Sequence, residues 1–273
     1  MYFHYRKKAM SRRTKSQIKP RNKYCNIYYY YHIPKTGGSS MLFFLNFLSK
    51  NVPYCKLYDF NSFNSISDIQ KNIDFNKILS IENIRQYDYI FIHHHHGYYG
   101  LMHYENILIE KKKELEINGH TLKIFTTIRD VLSFNNSRLN YLKDKCGWGG
   151  NKINFLENHI HWNVQTKYFF FCQHGEWPND EITIDMINNK LTTNNILKLT
   201  DVVDIFIESK NLNKFIDTMS KKFNLNYNSN KMDNVNEHSM TFNDNSEEIL
   251  NNNIFDCFLL KTYMNDKNHE FNI

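Results

Sequence analysis

A short glycine loop between a strand and a buried helix limits the folds open to this chain more than any other feature. The run Asn26 to Tyr31 is rich in tyrosine and predicts a β-strand, because aromatic residues favour strands. Small and polar residues follow from Pro34 to Ser40, and the nearly continuous apolar run from Met41 to Leu48 indicates a buried helix. The segment therefore predicts a strand, a tight loop and the start of a helix.

Strand and helix signals alternate through the rest of the chain. Further strands are predicted at Tyr87 to Ile92, Thr121 to Ile128 and Val202 to Ile207. Helices are predicted at Ser67 to Leu79, Val131 to Lys143, Ile153 to Phe171, Glu208 to Phe223 and Glu247 to Met264. The pair Asn118-Gly119 is typical of a hairpin turn with Glu114 to Ile117 as the first arm. The alternation predicts an α/β fold, with a three-layer, mostly parallel sheet, helices on both faces and ligands at the carboxyl ends of the strands.

The positive charge of the chain is confined to its N-terminus. Of the 34 Lys and Arg residues, nine precede Asn26, where there is no Asp or Glu, so the remaining 25 are set against 28 acidic residues. We therefore expect residues 1–25 to form a disordered basic arm and residues 26–273 to form one domain without a basic groove for nucleic acid. An arm that engages nucleic acid or a membrane surface is the alternative.

Cysteine usage and hydropathy bear on the compartment. The five cysteines are odd in number and contain no CxxC pair, which argues against a disulfide framework and against a thiolate zinc site. No apolar run reaches the roughly 20 residues that a membrane helix needs, and the basic N-terminus lacks the apolar core of a signal peptide. We expect a cytoplasmic protein with no membrane span.

The loop has the chemistry of an oxyanion cradle. Gly37 and Gly38 let backbone N–H groups approach an anion, the start of the helix adds a favourable dipole, and Lys35 supplies a full positive charge. Three hydroxyl residues complete the loop: Thr36, Ser39 and Ser40. The loop is not a Walker A motif, because Lys35 precedes the glycines and positions 28–31 are all tyrosine. An ordinary strand-to-helix turn is the alternative interpretation.

The sequence HIPKTGGSS, His32 to Ser40, resembles the 5′-phosphosulfate loop of carbohydrate sulfotransferases of the heparan-sulfate 2-O type. Arg129 and Ser137, eight residues apart, are similar to the pair with which that family binds the 3′-phosphate of its donor. A guanidinium fork suits a phosphate dianion, and a hydroxyl on the next helix adds a neutral donor. Val131 and Phe134 stand where the family has Pro and Arg. The resemblance implies a P-loop NTPase-like sulfotransferase fold and the donor 3′-phosphoadenosine-5′-phosphosulfate (PAPS).

Four consecutive histidines follow the second predicted strand. Side chains alternate along a strand, so His94 and His96 share one face while His93 and His95 share the other. The run HGYYGL that begins at His96 resembles the family's catalytic histidine motif, which implies that His96 is the general base. Core packing of His93 and His95, or a metal site formed by His94, His96 and His103, are the alternatives.

The resemblance implies in-line transfer of a sulfuryl group from PAPS to a hydroxyl, which we expect on a glycan or glycolipid, leaving adenosine 3′,5′-bisphosphate. Lys35 and His96 are the expected catalytic residues, and no metal is expected. The residues expected to bind the donor are Lys35, Thr36, Gly37, Gly38, Ser39, Ser40, Arg129 and Ser137. The alternatives are a nucleotide-dependent kinase or NTPase, and a non-catalytic module that binds phosphate or nucleic acid.

Overall fold

The chain folds around a parallel sheet, which a computed structural model describes together with its helices for residues 22–60, 73–95, 100–171, 173–174, 177–178, 183–228 and 241–264. The strands in these ranges are β1 Asn26–Tyr31, β2 Cys55–Phe60, β3 Tyr89–His94, β4 Thr121–Ile128, β5 Gln173–His174, β6 Trp177–Pro178 and β7 Ile205–Glu208. Five of them form the parallel sheet in the order β2-β3-β1-β4-β7, and β5 and β6 form a short antiparallel pair. β1 is therefore the central strand.

Helices of four to sixteen residues connect the strands. The first six are α1 Gly38–Asn51, α2 Phe75–Ile78, α3 Ile81–Ile84, α4 Glu105–Ile117, α5 Val131–Cys146 and α6 Lys152–Glu157. The others are α7 Val164–Phe170, α8 Ile184–Lys190, α9 Thr193–Leu197, α10 Leu199–Val202, α11 Leu212–Lys222, α12 Ser246–Asn252 and α13 Ile254–Met264. Short 3-10 turns lie at Leu101–Tyr104, His159–His161, Ser209–Asn211 and Asn243–Asn245.

Both faces of β1 are buried, which explains its aromatic sequence. Tyr29 and Tyr31 pack on one face against α4, α7 and α13, whereas Tyr28 and Tyr30 pack on the other face against α1 and α11. A central parallel strand covered by helices on both sides has no solvent-facing positions, so it can be apolar or aromatic throughout. The predicted three-layer α/β fold with a parallel sheet is confirmed.

The predicted hairpin before β4 is wrong. Glu114 to Ile117 is the last turn of α4, which buries Leu108 and Leu115 on one face. Gly119 follows with a φ of 79°, the left-handed conformation that commonly ends a helix. Asn-Gly favours positive φ both at helix ends and in hairpin turns. The seven-residue spacing of Leu108 and Leu115, which is about two helical turns, is the sequence signal that indicates a helix here.

Two predicted helices are each divided by asparagines. The helix expected from Ile153 to Phe171 splits into α6 and α7, and Asn163 before α7 has a φ of 51°. The last helix splits at Asn253, whose side chain accepts a hydrogen bond from the Asn163 N–H at 2.7 Å. The Asn163 side chain in turn accepts from the N–H groups of Phe255 and Asp256 at 2.8 and 3.2 Å, so the two breaks bond to each other across about 90 residues of sequence. Asparagine also tolerates the left-handed region in which Asn163 lies. Two strands also shift: β3 extends through His94, and β7 begins after α10.

The longest helix of the described ranges, α5, has 16 residues. No helix in those ranges is long and apolar enough to cross a membrane. Of the helix predicted from Ser67 to Leu79, residues 67–72 lie outside the described residues, and the described part contains α2.

Candidate functional site

The loop from Pro34 to Gly37 lies at the carboxyl edge of the sheet, between the central strand and α1. Lys35 has a φ of 66° and Gly37 a φ of 101°, so two left-handed residues turn the chain back into the helix. A lysine in this region stores strain of about 1 kcal/mol or more, which surrounding contacts must offset. Gly37 is the cap residue of α1 and has no side chain, and a helix start directs its first N–H groups outward.

A chain of hydroxyl groups fixes the loop from beneath. The Thr36 hydroxyl donates to the Ile33 carbonyl at 2.6 Å, and its oxygen lies 2.7 Å from Oγ1 of Thr127. Because the Thr36 hydroxyl proton is already donated to Ile33, the Thr127 hydroxyl must donate to Thr36. The Tyr30 hydroxyl in turn donates to Thr127 at 2.7 Å. Burial raises the pKa of Tyr30, which keeps its proton in place. Thr36 therefore faces inward and can offer a ligand its backbone N–H rather than its hydroxyl.

The two glycines are required by close neighbours. A Cβ atom on Gly37 would lie 2.6 Å from Cδ2 of Leu212, and a Cβ atom on Gly38 would overlap the imidazole of His32. Gly38 is buried, whereas Gly37 and Ser39 are exposed and Ser40 is half-buried in the first turn of α1. The start of α1 therefore rests directly on the His32 ring.

Replacing Gly38 by alanine should lower the free energy of unfolding by about 1–3 kcal/mol, because the new methyl group must displace a packed ring. Chemical denaturation measures this change. Gly149→Ala is the matched control, since nothing lies within 4 Å of a Cβ atom at that position. Equal stability of the two variants would show that the His32 ring does not support the loop.

Arg129, at the end of β4, reaches the loop. Its Nη1 donates to the Lys35 carbonyl at 3.1 Å, two residues before Gly37. The side chain of Gln165 clamps the Arg129 backbone, accepting from its N–H at 2.7 Å and donating to its carbonyl at 2.9 Å. Burial lowers the pKa of Arg129, with Asp130 opposing the shift, but a guanidinium stays charged at any ordinary pH. A fixed cation therefore lies beside the glycine loop.

Lys35 is held by α5. Its ammonium lies 4.1 Å from the centre of the Tyr141 ring, in cation–π geometry. Ser137 is 8% exposed and lies one helical turn before Tyr141, so the two residues share a face of α5. The cleft between Lys35, Tyr141 and α7 has room for about 10 Å³, roughly one water molecule. This cleft is therefore too small to hold a nucleotide.

Sequence reasoning missed a second cation beside Lys35. Arg138 lines the same cleft, is 4% exposed and donates to Nδ1 of His161 at 2.8 Å. Burial and then Arg138 lower the pKa of His161 to about 2, so this imidazole stays neutral and accepts. The pKa of buried Lys167 falls to about 7, first from burial and then from Arg138. The sequence signal that could have identified Arg138 is its position directly after Ser137, a predicted donor-binding residue.

The described histidines of the four-histidine run divide between the two faces of the sheet, as the alternation of side chains along a strand predicts. His94 lies 2.6 Å from the Tyr29 hydroxyl on the α4 face, and His93 lies 2.8 Å from Asp59 on the α1 face. The predicted base, His96, lies outside the described residues. Within those residues, no three His, Cys, Asp or Glu side chains are arranged to hold a metal ion.

The structure thus brings Lys35 and Arg129 into contact and places Gly37, Gly38, Ser39 and Ser40 at the start of α1. It sets Ser137 on the helix that holds the Lys35 ammonium, and it turns the Thr36 hydroxyl away from the open side. Lys35 and Arg129 beside a helix start are an arrangement with the chemistry to bind an anion.

Comparisons with known proteins return one likeness. A search of solved structures finds a sulfotransferase from Alicyclobacillus acidocaldarius, with a TM-score of 0.44 and 13% sequence identity over 91% of this chain and 98% of that chain. No protein-family model matches the chain, and no curated protein matches it. Its function must therefore be inferred from its own residues.

Proposed function

We propose that this protein transfers a sulfuryl group from PAPS to a hydroxyl acceptor, most simply on a glycan or glycolipid. The observation that carries the proposal is the contact between the Arg129 guanidinium and the Lys35 carbonyl. It joins the two anion-binding elements of the sequence, the glycine loop and the arginine at the end of β4. A donor with phosphate groups at both ends requires two such elements on one surface.

The loop and α1 are proposed to bind the 5′ end of the donor. Backbone N–H groups from Thr36 to Ser40 and the Ser39 and Ser40 hydroxyls supply hydrogen bonds, and the helix start supplies a favourable dipole. Arg129 and Ser137 are proposed to bind the 3′-phosphate, since a guanidinium gives short, charge-assisted bonds to a dianion. Gln165 fixes the Arg129 backbone through both polar groups, which reduces the entropy lost on binding.

The reaction needs charge and proton transfer from this chain. PAPS supplies an activated sulfuryl group. Lys35 places a positive charge next to the loop, where negative charge grows on the departing phosphate. His96 accepts the proton of the attacking hydroxyl, as a neutral imidazole can near pH 7. In-line alignment of the two oxygens across the sulfur then accounts for much of the rate.

Two measurements test the proposal. Adenosine 3′,5′-bisphosphate should raise the melting temperature of the protein more than ATP with Mg²⁺ does, because it carries a phosphate for each element. A PAPS-dependent sulfation screen should then find an acceptor among glycans, glycolipids and tyrosyl peptides. Stabilisation by ATP with Mg²⁺ alone would favour a kinase or NTPase, and nucleotide binding without sulfation would favour a non-catalytic module.

Replacing His96 by alanine should lower turnover by about a hundredfold or more while leaving the affinity for adenosine 3′,5′-bisphosphate nearly unchanged, because a base acts on the acceptor. Steady-state kinetics and calorimetry measure the two effects. His103→Ala is the control, since His103 is exposed and should be dispensable. Equal losses in both variants would instead indicate the metal site, and normal turnover in His96→Ala would remove this base from the mechanism.

A further inference from the structure

A line of three polar side chains runs across the sheet and ends beneath the glycine loop. Oδ1 of Asp59 on β2 lies 2.8 Å from Nδ1 of His93 on β3, and Nε2 of His93 lies 3.3 Å from Nδ1 of His32. In the strand register Asp59 pairs with His93, and His93 with Tyr30. His32 follows Tyr30 by two residues, so all these side chains share the α1 face.

This line connects solvent with the interior of the loop. The Asp59 side chain is 37% exposed, whereas His93 is 0% and His32 is 6% exposed. The Tyr30 ring is stacked with both imidazoles, and the His95 ring lies 3.8 Å from that of His32. Packing on both sides therefore fixes the orientation of the imidazoles.

The hydrogen bonds define which nitrogen carries a proton. A carboxylate only accepts, so Nδ1 of His93 must donate to Asp59. When both rings are neutral, Nε2 of His93 accepts and Nδ1 of His32 donates. Nε2 of His32 is then the nitrogen without a proton, and a proton added to the pair goes there. The positive charge that results is connected to Asp59 through His93.

That nitrogen lies at the start of α1. A Cβ atom on Gly38 would overlap the His32 ring, and Nε2 is the ring atom nearest to it. A proton bound at this atom adds a full positive charge directly beneath the first residue of the helix. Opposite charge nearby stabilises an ionised group, so an anion on the loop and a proton on His32 favour each other.

We propose that His32 takes up a proton when an anion binds to the loop, and that His93 and Asp59 stabilise this added charge. The inference rests on the proposed function only in taking the loop as the anion site. Among the described residues, titratable groups that face His32 include Tyr30 on β1, His93 on β3 with His95 directly after it, and Asp59 on β2 through His93. From its own loop comes Lys35, whose ammonium lies over Tyr141.

Calorimetric titration with adenosine 3′,5′-bisphosphate at pH 7.5, repeated in buffers with different ionisation enthalpies, measures the protons exchanged on binding. Because the ligand itself releases protons, each variant is compared with the unchanged protein. Asp59→Asn should take up fewer protons, by up to one per molecule of ligand, and its affinity should therefore fall less steeply as pH rises than that of the unchanged protein. Asp185→Asn, an equal change of charge at an exposed position, should behave as the unchanged protein.

NMR of ¹⁵N-histidine in the unchanged protein provides a readout that no substitution disturbs. His32 should carry its proton on Nδ1 without ligand, and should be protonated at both nitrogens with ligand bound. Nucleotide binding with no change at His32, or equal proton exchange in Asp59→Asn, would overturn this inference alone. If neither the nucleotide nor inorganic pyrophosphate binds, both this inference and the proposed function are wrong.

Discussion

Replacement of Lys35 by alanine is expected to lower the rate of PAPS-dependent sulfation by a hundredfold or more, about 3 kcal/mol in the activation free energy. Lys35 is the cation of the loop itself, and its ammonium is oriented by the Tyr141 ring. Charge on the leaving phosphate grows only as the reaction proceeds, so the loss should appear mainly in kcat. Single-turnover kinetics with saturating donor measure it directly.

The backbone of Lys35 offers a control for this experiment. Its φ of 66° is strained in lysine and alanine but natural for glycine. Lys35→Gly should therefore recover stability relative to Lys35→Ala while remaining equally inactive, because both variants lack the ammonium. Full activity in either variant would mean that Lys35 only shapes the turn, through the carbonyl that Arg129 contacts.

The part of the site that the sequence predicts is local in the chain. The strand, the loop and α1 occupy 26–51, and their order alone places Gly37 and Gly38 at a helix start. Asp130, directly before α5, caps that helix, since its side chain accepts from the Ser133 N–H at 3.0 Å. Capping and loop chemistry depend on neighbours within about four residues, so composition at that range is sufficient.

The remainder of the site depends on contacts that no local pattern contains. Gln165, which holds the Arg129 backbone, is 36 residues away from it in the sequence, and the hydrogen-bonded residues His93 and His32 are 61 residues apart. Thr36 resembles a ligand-binding hydroxyl in the sequence, yet Thr127, 91 residues away, is the partner that holds it inward. Side chains of neighbouring strands meet only once the strand order is known, and that order is a property of the whole sheet.

The orientation of Arg129 is the clearest case in which distant residues create the site. A guanidinium at the end of β4 could pair with Asp130 and contribute little, as exposed ion pairs do. Here Gln165 holds both backbone groups of Arg129, and the guanidinium points to the loop instead. Gln165 itself is fixed, since its N–H and that of Thr166 donate to buried Asp256 at 3.2 and 2.8 Å. The helix α7 thus positions a residue that it does not contain.

Replacement of Arg129 by alanine should weaken binding of adenosine 3′,5′-bisphosphate by a hundredfold or more, about 3 kcal/mol, because a charge-assisted contact to a phosphate is lost. Adenosine 5′-phosphate, which lacks the 3′-phosphate, distinguishes this role from a general loss of structure. Its affinity should be nearly the same for Arg129→Ala and for the unchanged protein. Calorimetric titration of both nucleotides with both proteins gives the interaction free energy as a double difference.

Gln165→Ala extends the experiment to the clamp. Arg129 keeps its charge in this variant but loses both bonds to its backbone, so the bisphosphate should bind about tenfold more weakly and adenosine 5′-phosphate nearly as before. If Arg129→Ala weakens the binding of both nucleotides equally, the guanidinium supports the turn at Lys35 and does not bind the 3′-phosphate. The loop would then bind one phosphate alone, and a doubly phosphorylated donor would have no second point of attachment at the end of β4.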